Sequence, residues 1–183
     1  MQASSKFPVS GFTDDKWRQY IWAYYRMIEK VDGEIGQVLH AIGDLGLDKN
    51  TLIVFLSDHG DLQGAHHWNQ KTVFYEEATK VPFIFSYKGV KPRKSDYLVQ
   101  TGLDLMPTLC DFAGIPIPKY APGVSLKTLI TENRPFVERK FIVSSDNLTQ
   151  GEAVNGVKPE PEGRMLRNKR FKYWIYDLSL IHI

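Results

Sequence analysis

The sequence has a single cysteine, Cys110, which excludes a disulfide framework within the chain. No apolar run reaches the length of a bilayer span. There is no excess of charge of one sign. The 23 basic and 21 acidic side chains leave a formal +2, which removes any general reason to expect a nucleic-acid partner or an anionic membrane surface. The opening stretch, MQASSKFPVSGFTDDKW, has no apolar signal core. Internal repeats and low-complexity tracts are absent, and nothing in the composition specifies an oligomeric state. What is present points to a globular protein. Of 183 residues, 43% are hydrophobic, enough for one domain with a core, and 13% aromatic content argues against disorder.

The strongest pattern runs from Asp14 to Gly46. Trp17, Tyr20, Ile21, Tyr24, Ile28, Val31, Ile35, Val38, Leu39, Ile42 and Leu45 recur at spacings of three and four, which predicts an amphipathic helix. Thr13, Asp14 and Asp15 suit its start and Gly46 its stop, while Gly33, Gly36 and Gly43 point to close packing or a break. Thr51–Leu56 is a continuous apolar, β-rich run and reads as a buried central strand of an α/β sheet. Asp61–Lys71 reads as a loop, Thr72–Thr79 as a short helix and Val81–Phe85 as a second buried strand. Asp104 is expected to cap a helix that runs through Phe112, with Pro107 in its first turn and Gly114 at its end. Beyond Pro122, short β-like runs at Phe141–Ser144, Arg164–Arg167 and Phe171–Tyr176 predict a small antiparallel appendage, interrupted by a Pro/Gly/Glu-rich stretch at Gly151–Gly163.

Ser57-Asp58-His59-Gly60 falls at the carboxyl end of the first strand, the position where open α/β sheets bind ligands. Asp58 offers oxygens to a hard divalent cation, and His59 offers an imidazole for acid–base work, hydrogen bonding or ligation. Gly60 lets the chain turn sharply. His66, His67 and Lys71 follow in the same loop, and a lysine ammonium suits a phosphate- or sulfate-like group. A metal, a lysine and a histidine around one pocket stabilise an anionic centre during ester cleavage. The same residues also have plainer readings. An Asp-His pair after a strand serves as a turn or cap, His66 and His67 as loop residues, and Lys71 as a solvated cation.

The order of longer motifs narrows these alternatives. YYRMIEKVDGEIGQVLHAIGDLGL (Tyr24–Leu47) is followed by NTLIVFLSDHGD (Asn50–Asp61), HHWNQKTVFYEEATKVPFI (His66–Ile84) and TGLDLMPTLCDFAGIPIP (Thr101–Pro118). GVSLKTLI (Gly123–Ile130) and GRMLRNKRFKYWIYD (Gly163–Asp177) come after them. In this order the segments resemble the sulfatase family of the alkaline phosphatase superfamily. The resemblance implies part of an alkaline-phosphatase-like α/β/α sandwich at residues 1–122, then a truncated α+β subdomain at 123–183 with a small antiparallel sheet. It implies a sulfuric ester hydrolase that uses a divalent metal, usually calcium. Asp58 and His59 match the metal pair, with His59 also a candidate for touching the sulfate or the nucleophile. Lys71 matches the lysine that binds sulfate and helps the leaving oxygen, and His67 is assigned to substrate binding beside it. Glu76 and Glu77 match a segment that positions Lys71, and Asp104 matches a structural helix cap. The substrate implied is a sulfated small molecule or sulfated glycan, and the location periplasmic, secreted or lysosomal.

Sulfatases attack sulfur with a formylglycine made from the Cys or Ser of a C/S-x-P-x-R motif, and no proline here lies in that context. Cys110, inside a predicted helix, is expected to be a buried small apolar residue. The resemblance therefore implies a chain that begins midway through a sulfatase, with the nucleophile elsewhere, and Leu178–Ile183 (LSLIHI) is read as non-native. Two other functions compete. One is a phosphonate monoester or phosphodiester hydrolase of the same superfamily. The other is a noncatalytic module binding sulfated glycan through Arg164, Arg167, Lys169, Arg170 and Lys172, which otherwise form the solvent face of a sheet.

Overall fold

The computed structural model of the chain describes residues 9, 11–134, 137–147 and 162–177. Within them the order is helix α1 (Asp14–Asp44), strand β1 (Ile53–Leu56), short helix α2 (Glu76–Thr79), β2 (Phe83–Ser86), α3 (Thr101–Ala113), α4 (Lys127–Glu132), then β3 (Ile142–Asn147), β4 (Glu162–Arg167) and β5 (Lys172–Asp177). Among the described residues no helix is long and apolar enough to cross a membrane. These residues form two compact units. One holds the chain up to Thr51 with His59–Val81; the other holds Leu52–Asp58, Pro82–Asn147 and the chain from β4 onward.

In the first unit α1 starts and stops where the sequence indicates. The Thr13 hydroxyl accepts a hydrogen bond from the Lys16 amide at 3.4 Å, and Gly46 takes the left-handed conformation (φ 65°) just beyond the helix. The helix runs unbroken through Gly33, Gly36 and Gly43, and a Cβ at any of them would meet nothing within 4 Å. These glycines therefore serve neither a break nor a close packing within the described residues. No residue of α1 is fully buried. The N-terminal part of its stripe is half-buried at Trp17, Tyr20, Ile21 and Tyr24, whereas Val31 and Val38 are exposed.

In the second unit β1 and β2 pair antiparallel, with Phe55 opposite Ile84 and Val54 opposite Phe85. This corrects the reading of both segments as strands buried on both faces. Phe55 and Ile84 share the exposed face of a two-stranded ladder, because no described element covers it. β3, β4 and β5 form the expected antiparallel sheet, in that order. The stretch 151–161 and residues 178–183, including the sequence read as non-native, lie outside the described residues.

Helix α3 begins at Thr101, three residues before the expected cap, so Pro107 sits inside it rather than in its first turn. A proline there leaves the carbonyl four residues back without its helical donor. That carbonyl is Leu103's, and Gly123 packs so closely on it that an added Cβ would collide. Asp104 lies one turn into the helix and is fully buried. Its carboxylate accepts from the Gln100 amide (2.9 Å), the Val124 amide (3.0 Å) and both terminal nitrogens of Arg139 (2.5 and 2.8 Å). One side chain thus ties the helix start to two later segments. The Asp104 hydrogen bonds also push the Arg139 guanidinium above its usual pKa. Thr108 continues the clip by accepting from the Leu126 amide at 3.0 Å. Cys110, expected to be buried, is half-buried in the same helix.

Candidate active site

The candidate site residues follow β1 in sequence. Asp58 is exposed and closes the second unit's segment, and His59 opens the first unit's next segment. From His59 to Val81 the chain has little regular structure, so specific hydrogen bonds must shape it. The Gly60 amide donates to the Ala78 carbonyl at 2.8 Å, and a Cβ at Gly60 would land on the Glu77 carbonyl. Glycine is required here for that close approach, not for the sharp turn expected from the sequence. Four side-chain-bearing residues of the loop, Gln63, His66, His67 and Gln70, have φ between 50° and 68°. Such backbone is strained and persists only where surrounding contacts determine it.

Those contacts are present. Leu62, Val73 and Ala78 form a buried apolar cluster, with Ala65, Trp68 and Tyr75 packed against it. The Leu62 amide donates to the Gln70 carbonyl (2.9 Å) and the Gly64 amide to the Trp68 carbonyl (2.8 Å). Helix α1 braces the outside of the loop: Gly64 lies so near the Trp17 indole that a Cβ would sit 2.9 Å from it. Asn69 hydrogen-bonds the Tyr20 phenol. Burial pushes the Tyr20 pKa up, and the negative charge of Asp61 adds to the rise.

This scaffold brings His59 and Lys71 together across twelve positions of sequence, with the Lys71 ammonium directly against His59 Nε2. His59 Nδ1 lies 2.8 Å from the Gly60 carbonyl oxygen. That oxygen has only lone pairs to offer, so Nδ1 carries the proton and Nε2 accepts from Lys71. Lys71 is exposed, and its remaining N–H groups are available to an anion. His67 is exposed on the turn Ala65–His67 and takes no part in that contact. His66 stacks on the Tyr75 ring (centroids 3.8 Å apart), and its Nε2 lies 3.6 Å from a Glu77 carboxylate oxygen. Glu77 meets the site through its backbone, where its carbonyl abuts Gly60.

These residues supply part of what a divalent cation needs. Calcium takes about six to eight oxygen ligands. Here Asp58 offers its carboxylate, while His59 faces Lys71 and the Gly60 carbonyl. Among the described residues no group of three or more His, Cys, Asp or Glu side chains is placed to hold a metal. The described residues do not build a metal site by themselves.

Asp61, Trp17 and Arg139 were not identified from the sequence as structural supports. Asp61 did leave a signal, since an aspartate two residues before an amide commonly closes a turn on it, as Asp61 does with Gln63 at 2.9 Å. The basic residues near the C-terminus find partners within the chain. Lys169 pairs with Asp96 (2.8 Å), Arg164 with Glu162 (3.4 Å), and Arg170 lies over the Phe171 ring. That pattern matches a solvated sheet face.

Asp58, His59 and Gly60 follow β1 after Ser57, and the loop returns Lys71 to His59. The sulfatase family model matches residues 1–115, and the chain belongs to the sulfatase family. It is 35% identical over 169 residues to a Delta 4,5-hexuronate-2-O-sulfatase of Bacteroides thetaiotaomicron, covering 90% of this chain and 34% of that protein. Among solved structures it resembles a 2-O GAG sulfatase with a TM-score of 0.81 and 32% identity, covering 92% of this chain and 36% of the other. A phosphonate monoester hydrolase of Agrobacterium radiobacter gives a TM-score of 0.81 at 25% identity, covering 92% and 35%. The fold is thus part of the alkaline-phosphatase-like architecture of sulfatases. The chain spans about a third of the length of each of these three proteins.

Proposed function

We propose that this chain contributes the lysine–histidine side of the active site of a sulfuric ester hydrolase. The observation that carries the reading is the contact of the Lys71 ammonium with His59 Nε2, in a chain of the sulfatase family. The reaction converts a sulfate ester and water to an alcohol and hydrogen sulfate. Lys71 donates to a sulfate oxygen and to the bridging oxygen as the S–O bond breaks. Charge that develops on that oxygen is then met by a fixed cation. His59, held by the Gly60 carbonyl, keeps the ammonium from swinging into solvent and is placed to take a proton from it at Nε2. We assign the attacking formylglycine to the part of the relatives' length that this chain does not span.

The substrate class we infer is a sulfated saccharide, by likeness to the hexuronate and GAG sulfatases. A periplasmic, secreted or lysosomal location suits such a substrate. The similarity to a phosphonate monoester hydrolase supports a second reading, in which the same lysine binds a phosphonate oxygen. Side-by-side kinetics of the full-length protein, with the formylglycine-bearing part present, on aryl sulfate and aryl phosphonate monoesters test the choice. Higher kcat/KM on the sulfate is expected, and a clear preference for the phosphonate overturns it.

A further inference from the structure

We infer that Asp61 is a positioning residue for Lys71, an inference that rests on the sulfatase reading of the site. Asp61 Oδ1 accepts three hydrogen bonds: from the Gln63 amide (2.9 Å), the Gln63 side-chain Nε2 (2.7 Å) and the Gln70 amide (3.3 Å). The Leu62 amide donates to the Gln70 carbonyl at 2.9 Å, so the loop is closed at its base by a side chain and a backbone bond together. His59 lies two residues before this closure and Lys71 one residue after it. The last residue inside it, Gln70, has φ 68°, a conformation that a glutamine holds only when its neighbours impose it. Lys71 leaves the loop in the direction Gln70 sets, so the carboxylate fixes where the ammonium arrives.

Accepting bonds on one oxygen needs a carboxyl or amide carbonyl but no net charge. The clamp therefore makes a specific claim: Asp61→Asn retains it and Asp61→Ala loses it. A structural readout independent of catalysis is amide hydrogen exchange in the full chain over residues 61–71. Exchange at Gln63 and Gln70 should speed up in Asp61→Ala and stay near wild type in Asp61→Asn. The kinetic readout is a double-mutant cycle with Lys71→Ala in the full-length protein that also carries the formylglycine-bearing part. Misplacing a catalytic group by about 1 Å costs up to about 100-fold. Asp61→Ala is accordingly expected to lower kcat on an aryl sulfate by about 10- to 100-fold when Lys71 is present, and by less than about threefold when Lys71 is already alanine.

Equal losses in both backgrounds, or an unchanged exchange pattern in Asp61→Ala, overturn the inference. If Asp61→Ala does not fold, Asp61→Asn carries the test, because a loss of more than about tenfold in that variant contradicts a clamp built on hydrogen bonding alone. Absence of aryl sulfate turnover in the wild-type full-length protein, with the formylglycine-bearing part present, defeats the sulfatase reading instead, while the exchange pattern still decides whether Asp61 holds the loop.

Discussion

The His59–Thr79 loop and helix α1 belong to the same compact unit and are held in opposite ways. The helix satisfies its own backbone, yet over 31 residues it buries none of them. The loop has almost no regular backbone, yet it contains the buried cluster of Leu62, Val73 and Ala78 and is closed by hydrogen bonds at its base, its turn and its exit. The difference shows what each kind of segment requires. A helix satisfies its backbone from within, and here its apolar stripe packs on the loop only near its start, at Trp17 and Tyr20. An irregular loop forms only where individual side chains and close backbone approaches specify it, and the same contacts aim Lys71 at His59.

Substitutions can break this contrast, beginning with the largest expected effect. Asp104 provides the scale for a fully specified contact. Asp104→Ala leaves Arg139 half-sequestered without its carboxylate and removes the acceptor for two amides. A loss of about 3–5 kcal/mol is expected from breaking such a buried pair, measured by urea denaturation. In the loop, Gly60→Ala drives a Cβ into the Glu77 carbonyl, and about 1–3 kcal/mol should be lost as the backbone shifts. A tolerated Gly60→Ala would mean that the loop is as accommodating as the helix.

On α1 the sign should reverse. Gly36 is helical with open space around its missing Cβ, so Gly36→Ala should stabilise by about 0.5–1 kcal/mol. The smallest effect concerns pH. The folded-state pKa of Tyr20 is raised by burial and by Asp61, so the stability of the fold is intact below the unfolded tyrosine value of about 10 and falls as pH rises through the folded one. Tyr20→Phe should flatten that alkaline decline in the urea midpoint between pH 9 and 11, values chosen to bracket a pKa of about 10. An unchanged slope would show that the helix and loop are not coupled through Tyr20.

Local signals were readable where they act locally. The stripe from Trp17, the Thr13 cap and the Gly46 stop defined α1 to within two residues. Gly114 ended α3, taking the left-handed conformation, and the three C-terminal β-like runs became β3, β4 and β5. Pairing was not readable. The run TLIVFL is apolar at successive positions, a pattern shared by strands buried on two faces and on one, so Phe55 emerged on an open face. Short elements also shrank: the helix expected over Thr72–Thr79 forms only at Glu76–Thr79, because the preceding residues are drawn into the loop, with the Val73 amide donating to the Lys71 carbonyl. The importance of Asp104 was legible as a cap, but its bond to Arg139 joins positions 35 residues apart and has no local trace. At the site, residue types indicated anion chemistry, and motif order indicated the family. The direct contact of His59 with Lys71, and the engagement of both imidazole nitrogens, required the folded loop.

The central claim is that Lys71, delivered by this loop to His59, is the cation that meets the sulfate group. The most direct measurement is the kcat of Lys71→Ala in the full-length protein, which includes the part that supplies the formylglycine, on an aryl sulfate, with the melting temperature as a control. A fall of about 100- to 1,000-fold with melting unchanged is predicted from the loss of one fixed charge-stabilising donor. Turnover within about threefold of wild type would contradict the assignment.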